Sequence, residues 1–389
     1  MNKLVYSAVA LTLASAPGVA SEKEWSSLDK ELESLTSSLS AQNTGPKVGG
    51  WIHSSWRHSS DVEVETDPTT TPPTTEDQSG FQLDTVRLEI TGDAGSDYGY
   101  KLSFDFAEGI EAGVDANGDD VTLGGIASLK DAYATWKIGD IVNGKMGRFK
   151  QPFLRSALVS DNRLLFLQRT GIGELVRRDL GLAFSGDYDT VHWWIAAQNG
   201  GDGQADEYLF TGRVTADLMG SSVGKVEGAY GAGDETALFV GAQVADEGTL
   251  DDGMFWGIEA ALTAGPIAIS AEMVDFDKGS VVGGNDEFGV HDPILSNIDS
   301  DLATSDVADT TPWNATASYM FTEMYEAAVR YEDSDNDEDT NAFHVAVNRY
   351  VQGHDIKWTL QWTNISSDAT LANPEGDITQ IGVGLGVSF

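Results

Sequence analysis

The last ten residues, Gln380-Ile381-Gly382-Val383-Gly384-Leu385-Gly386-Val387-Ser388-Phe389, alternate between two kinds of side chain. Successive residues of a β-strand point to opposite faces. One face of this stretch therefore carries Ile, Val, Leu, Val and Phe, and the other carries Gln, three glycines and Ser. A strand with one apolar face and one small or polar face is typical of a barrel wall between lipid and water. We therefore predict a membrane-spanning strand.

The terminal Phe389 completes a pattern that resembles the last strand of a bacterial outer-membrane β-barrel, and we expect the barrel assembly machinery to recognise it. The first twenty residues fit a secretory signal peptide. Lys3 precedes the apolar run Leu4–Ala14, and Gly18-Val19-Ala20 forms a small-residue cleavage site. No stretch reaches the roughly 18 apolar residues of a membrane-spanning helix. The chain has no cysteine, which excludes disulfides and cysteine metal sites.

Alternating segments of about ten residues recur from Val48 onward, which is the length of a tilted strand that crosses a bilayer. Long, acidic connections alternate with short ones, as outer loops alternate with periplasmic turns in bacterial barrels. Seventeen candidate strands are present, but an even number is required if both chain ends lie in the periplasm. We assign the irregular stretch Val223–Tyr230 to a long turn. Sixteen strands then surround a water-filled lumen.

The predicted fold is an all-β, 16-stranded antiparallel transmembrane β-barrel with a short N-terminal helical segment. We expect a signal peptide over residues 1–20, a periplasmic helical or coiled-coil segment over 21–46 and the barrel over 47–389. Four leucines of the second segment have heptad-like spacing, at Leu28, Leu32, Leu35 and Leu39. Two heptads are too few for a stable isolated coil. The segment either holds a homotrimer together or is a short helix or a disordered tail.

The composition is strongly acidic, with 62 Asp and Glu against 23 Lys and Arg and a net charge of −39. A nucleic-acid partner needs a basic face, so that role is excluded. Residues 115–119 and 333–337 have calcium-like spacing but lack the distal Glu and the flanking helices of a calcium loop. We interpret them as acidic loops that leave open weak divalent bridging to lipopolysaccharide, and we predict no metal site and no cofactor. No motif marks a catalytic constellation, so we predict that the chain is not an enzyme.

The connection over residues 150–178 differs from the other long connections because it is apolar. It contains Phe153 and the run Leu164-Leu165-Phe166-Leu167. An exposed loop with such a run would leave a large apolar patch in water. We therefore expect the loop to fold inward, pack on the barrel wall and constrict the pore.

The same region concentrates positive charge, because residues 145–178 hold eight of the 23 basic residues. A ring of Arg and Lys at a constriction favours anions, and Arg binds phosphate oxygens bidentately. The candidate constriction and anion-binding residues are Lys145, Arg148, Lys150, Arg155, Arg163, Arg169, Arg177 and Arg178. The lumen wall is predicted to add Arg87, Lys101, Lys137, Arg213 and Lys357, with Arg330, opposite Glu89, Asp105, Asp131, Asp217, Glu259, Glu272 and Glu326. This mixed wall leaves two hypotheses open, an anion-preferring constriction and a balanced or cation-preferring one.

The stretch Gly147-Arg148-Phe149-Lys150-Gln151-Pro152-Phe153 resembles the G-Q-F-K-x-P-F signature of the phosphate-selective porin O and P family. Arg148 stands where the signature has Gln. The resemblance extends to the strand Leu129–Tyr133 before the motif and to the Arg-Asp-Leu-Gly sequence that begins at Arg178. It implies an outer-membrane porin whose motif leads into a long third loop. Members of that family differ in solute, so the motif does not imply phosphate.

These observations predict a passive ion-transport channel in the bacterial outer membrane, in contact with lipid and lipopolysaccharide. It would be a homotrimer that carries small inorganic or organic anions such as phosphate. A general or cation-selective porin is the first alternative. The second is a structural or adhesive surface barrel with a plugged lumen.

Overall fold

The computed structural model places one closed barrel over Lys47–Phe389. The structure describes residues 45–64, 74–107, 112–114, 120–122, 127–174, 176–200, 208–220, 223, 226–232, 235–247, 254–276, 310–335, 339–366 and 378–389. The predicted signal peptide and the heptad segment lie outside these ranges. Within the described ranges, no helix has the length and apolarity needed to cross a lipid bilayer.

Sixteen antiparallel strands form the wall. In chain order they are β1 (Lys47–Val64), β2 (Thr74–Asp93), β3 (Tyr98–Asp105), β6 (Ser128–Ile138), β7 (Val142–Lys150), β8 (Arg178–Tyr188), β9 (Val191–Gln198), β10 (Leu209–Met219), β11 (Ala237–Glu247), β12 (Met254–Ala264), β13 (Ile267–Phe276), β14 (Trp313–Thr322), β15 (Tyr325–Asp333), β16 (Asn341–Tyr350), β17 (Ile356–Ser366) and β18 (Ile378–Ser388). A separate hairpin of β4 (Ala112–Val114) and β5 (Asp120–Thr122) follows β3. The predicted count of sixteen wall strands is confirmed.

The barrel closes where β1 pairs with β18. The Gly50 N–H donates to the Phe389 carbonyl at 3.1 Å, and the Phe389 N–H donates to the Gly50 carbonyl at 2.9 Å. Closure leaves no unpaired edge strand, which is a condition for a β-structure in lipid. Phe389 therefore completes the hydrogen-bonded seam, and its ring stays exposed.

Strand β18 has the two faces that its alternation predicts. Ile381 and Val383 are exposed on the outer face, whereas Gly382 and Gly384 are buried on the lumen face. Leu167, from the connection after β7, packs over both glycines, and a Cβ on Gly382 would lie 2.6 Å from the Leu167 Cδ1 atom. The glycines therefore provide a flat strip on which this connection rests.

A side chain on this strip should displace that connection. Gly384→Val would place its Cβ against the Leu167 Cδ2 atom, and we expect a loss of about 1–3 kcal/mol in the free energy of unfolding because of overpacking. Urea titration of the refolded barrel measures this loss, and Leu167→Ala in the same chain should restore stability. Gly212→Val is the matched control because its Cβ would lie 3.7 Å from Val244 Cγ1. Equal stabilities of the two glycine variants would contradict the packing argument.

Two strands extend further than their apolar pattern indicates. The sequence places a long connection over residues 58–80, but β1 runs to Val64 and β2 begins at Thr74. Backbone pairing continues through Val62 with Glu76 and Val64 with Thr74. Apolar alternation marks only the part of a strand that faces lipid, because a ladder of backbone hydrogen bonds tolerates polar residues on both faces in water.

The described residues of the stretch Val223–Tyr230, which are 223 and 226–230, lie in no strand, as predicted. Four aromatic residues near strand ends, Tyr98, Trp256, Trp313 and Tyr350, are typical of the interfacial girdles of a membrane barrel. The structure contradicts this interpretation for Tyr350. Its side chain is 2% exposed, its ring stacks on Tyr230 at 3.8 Å, and its hydroxyl donates to Glu326 Oε2 at 2.5 Å. The apparent girdle residue instead faces the lumen, where a buried hydroxyl needs an acceptor.

Candidate pore constriction

The connection between β7 and β8, which we call the inner loop (residues 151–177), crosses the lumen. It holds α1 (Arg155–Leu158), a one-turn 3-10 helix (Asp161–Arg163) and α2 (Gly171–Glu174). One group of its apolar residues packs on strands β11 and β13, and a second packs on β15 and β16. The first group contains Phe153, Leu154, Ala157, Ile172 and Val176 with Ala245, Val274 and Phe276, and the second contains Leu165 and Phe166 with Ala328 and Ala346.

Carboxylates of the far wall accept hydrogen bonds from the backbone of the inner loop. Glu259 accepts from the Arg155 N–H, Glu272 accepts from the Ser156 N–H at 2.7 Å, and Glu332 accepts from the Gly171 N–H at 2.7 Å. All three carboxylates are buried. A buried carboxylate needs such donors, because burial removes the water molecules that would otherwise hydrogen-bond it. These acids therefore hold the loop in place.

Basic and amide side chains of the wall donate to the loop carbonyls in the same way. Lys357 donates to the Leu164 carbonyl, and Asn348 donates to the Leu165 carbonyl at 2.8 Å. The guanidinium of Arg330 donates to the Gln168 carbonyl at 3.2 Å. Strands β15, β16 and β17 thus hold residues 164–168 of the inner loop through hydrogen bonds to its backbone carbonyls.

Two of the predicted anion-binding residues are held by protein groups. Arg169 donates to Asp161 and to the Ser156 carbonyl, and its Nε atom lies 3.3 Å from Glu174. Arg155 donates to the Val226 carbonyl. Burial alone would raise the pKa of Asp161, but Arg169 and then Arg87 outweigh burial and hold that pKa below its usual value. Asp161 is therefore a carboxylate at neutral pH and a full partner for Arg169.

Arg163 lies at the tip of the 3-10 helix and is exposed. Its neighbour Asn162 donates to Ser388 Oγ at 3.2 Å, close to the C-terminal end of β18. Among the described residues, Arg163 has no ion pair. Of the four predicted residues in the inner loop, Arg155, Arg163, Arg169 and Arg177, Arg163 is the exposed one.

The remaining predicted constriction residues are spread along β7 and β8. Lys145 lies over the rings of Tyr133 and Phe149, at 4.8 and 5.2 Å. The half-buried Lys150 pairs in register with Arg178, whose Nε atom donates to Asp131 Oδ1 at 2.8 Å. These side chains lie beside the wall rather than at the tip of the loop.

Two predicted residues lie away from this cluster. Arg148 pairs in register with Leu180, which is exposed on the outer face, so the strand directs Arg148 outward. Its Nε atom donates to the Leu129 carbonyl at 3.1 Å. Arg177 is half-buried at the end of the inner loop, and its carbonyl accepts from the Gln151 N–H at 3.0 Å.

The predicted wall cations are mostly paired with acids. Arg87 lies 2.9 Å from Asp105, Lys101 lies 2.5 Å from Glu89, and Arg213 lies 2.5 Å from Glu259. Lys137 is exposed near the end of β6. The sequence shows the mixed charge of the wall, but it does not show which acid neutralises which base.

Sequence reasoning missed the anchoring role of Glu227, Glu332 and Arg330. Arg330 is 1% exposed, and its guanidinium lies 2.5 Å from Glu227 and 3.4 Å from Glu332. It also lies 4.1 Å above the ring of Phe166. The available signal was the position of Arg330 and Glu332 on the lumen face of an alternating strand, which does not distinguish a loop anchor from a solute contact.

Partly exposed ionisable side chains are found on the lumen face of β2, β3, β8 and β9. Glu89 and Lys101 retain 24% side-chain exposure, Arg178 retains 22%, and His192 retains 28%. Lumen residues of β12 and β15, such as Glu259 and Arg330, retain 1%. The inner loop thus buries lumen charges of β12 and β15, whereas these four side chains of β2, β3, β8 and β9 stay accessible to water.

Comparisons with known proteins agree with this architecture. The family described as phosphate-selective porin O and P matches residues 58–246, which include the Gly147–Phe153 motif. The barrel is similar to the outer membrane channel DcaP of Acinetobacter baumannii, at 14% identity and a TM-score of 0.54, covering 88% of this chain and 97% of that chain. It is also similar to an anion-selective porin from Comamonas acidovorans, at 11% identity and a TM-score of 0.52, covering 89% and 99%.

A third similar structure is OprB of Pseudomonas putida, at 9% identity and a TM-score of 0.54, covering 90% of this chain and 96% of that chain. Identities this low show a shared fold. No sequence among the curated proteins matches the chain. The family match covers the signature motif, the inner loop and the strands on both sides of it. Over residues 58–246, the chain therefore carries the sequence pattern of the phosphate-selective porin O and P family.

Proposed function

We propose that this protein is an outer-membrane porin, a water-filled channel through which small hydrophilic solutes diffuse passively. The observation that carries the proposal is the uneven burial of lumen charges, which supports a hydrated path along β2, β3, β8 and β9. The family and the fold are those of channels and not of enzymes. Such a channel needs a closed wall and an unobstructed polar route, and both features support the proposal.

We further propose that the channel prefers small anions. Arg163 is exposed on the inner loop, and Lys145 and Arg178 lie on the wall of the hydrated path. A cation in a narrow, partly dry pore attracts anions more strongly than one on an open surface. The similarity to an anion-selective porin is in line with this preference. The solute would exchange part of its hydration shell for brief contacts with these cations.

A weakly selective channel is the second candidate, and the pairing of Arg155 and Arg169 favours it. Both side chains hold the inner loop, so they add little to the field that a solute meets. The hydrated path also carries Glu89 and Asp131 beside its cations. The two candidates differ in whether the cations or the acids dominate the field on this path.

Reversal potential in a planar bilayer under a KCl gradient separates these candidates. We expect chloride preference in the wild-type channel, and we expect added phosphate to reduce the current. Arg163→Gln combined with Lys145→Gln should shift the reversal potential toward potassium, because it removes two cations beside the path. Arg349→Gln is the matched control, since Arg349 is exposed and its guanidinium lies 6.0 Å from the Tyr325 ring.

An unchanged reversal potential in the double variant would contradict the anion-binding assignment and leave the weakly selective porin. A folded, inserted wild-type protein without steady current would contradict the channel itself and support a plugged structural barrel.

Homotrimer formation, contact with lipopolysaccharide and recognition of Phe389 by the assembly machinery stay predictions. Cross-linking of the full chain in outer membranes tests the trimer.

A further inference from the structure

One connection at the short-turn end of the barrel differs from the others. The short-turn end is the end where connections 94–97, 139–141 and 265–266 lie, opposite the end from which the inner loop enters. Connections there have two to five residues, but β10 and β11 are joined by residues 220–236. We call residues 226–232 the inner turn. Val226, Glu227 and Ala229 are buried, although turns between strands normally lie in water.

The inner turn meets the inner loop inside the lumen. Glu227 Oε2 accepts from the Leu165 N–H at 2.6 Å, and the Glu227 N–H donates to the Arg163 carbonyl at 3.3 Å. The Val226 carbonyl accepts from the guanidinium of Arg155. The two segments enter from opposite ends of the barrel, so these bonds join them across its length.

The inner turn is also bonded to the wall. Glu227 Oε1 accepts from the guanidinium of Arg330 at 2.5 Å, and the Ala229 N–H donates to Glu326 Oε1 at 2.6 Å. The ring of Tyr230 lies parallel to that of Tyr350, with an interplanar angle of 13°. One carboxylate, that of Glu227, therefore bonds a loop amide and a wall cation at the same time.

Gly228 shows how closely the turn fits between the loop and the wall. A Cβ at this position would lie 2.5 Å from Glu326 Oε1 and 2.5 Å from Leu165 Cδ2. A side chain larger than hydrogen would therefore separate the turn from one of these two surfaces. The close fit indicates that the turn occupies its place in the lumen as a packed element.

We propose that the inner turn is a second constriction element, which closes the β10–β16 side of the lumen together with the inner loop. The inference rests on the proposed function as a channel. The turn confines solutes to the path along β2, β3, β8 and β9, and it limits both the conductance and the largest solute that passes. Glu227 is the positioning residue because it ties the turn to Leu165 and Arg330.

Deletion of residues 226–232 tests the proposal. Ten residues of the connection remain, which is more than enough to join two adjacent strands. We expect single-channel conductance in KCl to rise at least about twofold, because a wider lumen conducts more ions. Graded neutral polyethylene glycols added to the bath should enter the variant at larger sizes than the wild type. Circular dichroism establishes that the variant barrel is folded.

A point variant gives a second measurement if the deletion prevents folding. Glu227→Gln keeps the shape of the side chain but removes the charge that faces Arg330, and we expect more frequent current steps from a loosened turn. Glu235→Gln is the matched control because Glu235 lies in the same connection and is exposed. It should behave as the wild type.

The outcomes separate this inference from the proposed function. A conducting wild type with an unchanged conductance in the folded deletion variant would overturn the second constriction. Identical current traces of Glu227→Gln and Glu235→Gln would overturn the positioning role of Glu227. A wild type without current that conducts after the deletion would contradict the open channel but support the inner turn as a blocking element.

Discussion

Arg330→Met should destabilise the barrel more than other single substitutions in the lumen, by about 3–5 kcal/mol in the free energy of unfolding. The reason is that Arg330 is 1% exposed and faces two buried carboxylates, Glu227 at 2.5 Å and Glu332 at 3.4 Å. Methionine fills much of the space but leaves both carboxylates without their cation. Removal of one partner of a buried ion pair costs more than the pair itself contributes, because the remaining charge is left unpaired.

Urea titration of the refolded barrel measures this loss. Arg349→Met is the matched control, since Arg349 lies on the adjacent strand β16 and is exposed. Arg330→Met with Glu227→Gln should recover part of the stability, because the second change removes one unpaired charge. Equal midpoints for Arg330→Met and Arg349→Met would contradict the assignment of Arg330 as the central anchor.

The second large effect is expected from Arg169→Met. Arg169 bonds Asp161 and the Ser156 carbonyl, and its Nε atom lies 3.3 Å from Glu174. All four residues belong to the inner loop, so the substitution removes the bonds that fold the loop on itself. Loss of charged hydrogen bonds of this kind costs about 1.5–3 kcal/mol. We expect the variant to conduct more and with greater current noise, since the loop then leaves the constriction for part of the time.

Arg163→Met in the same loop is the matched comparison, because it replaces an exposed arginine instead of one that anchors the loop. Arg163 is exposed and, within the described ranges, has no ion pair, so its substitution should leave stability and noise unchanged while it lowers anion preference. Arg169→Met should show the opposite combination. If both variants changed selectivity alone, the distinction between an anchoring and a solute-facing arginine would be wrong.

The charges show where inference from the sequence ends. The sequence shows eight basic residues in and beside the 150–178 loop, but it does not show which groups they contact. Arg169 meets Asp161 eight positions away, whereas Arg330 meets Glu227 across 103 positions. The sequence indicates neither which acid lies within reach nor that Arg148 points to the outer face. These relations depend on how the closed wall brings distant strands around one lumen.

The inner turn shows the same limit from another side. The stretch Val223–Tyr230 breaks the alternation, which excludes it from the strands, and its described residues lie in no strand. Such a turn can enter the lumen only if the inner loop and the wall leave a space that its residues can fill. Otherwise it lies in water. Here that space lies between Leu165 and Glu326, and Gly228 fits it.

The wall of this barrel follows from the order of its residues, because the side-chain period of a strand is local and lipid selects one face of it. The strand number, the lumen-facing glycines of β18 and the unusual apolar loop can all be predicted in this way. The filling of the lumen is decided by the tertiary structure. Its bonds join segments that are far apart in the chain, and their energy depends on burial and distance, neither of which a linear sequence contains.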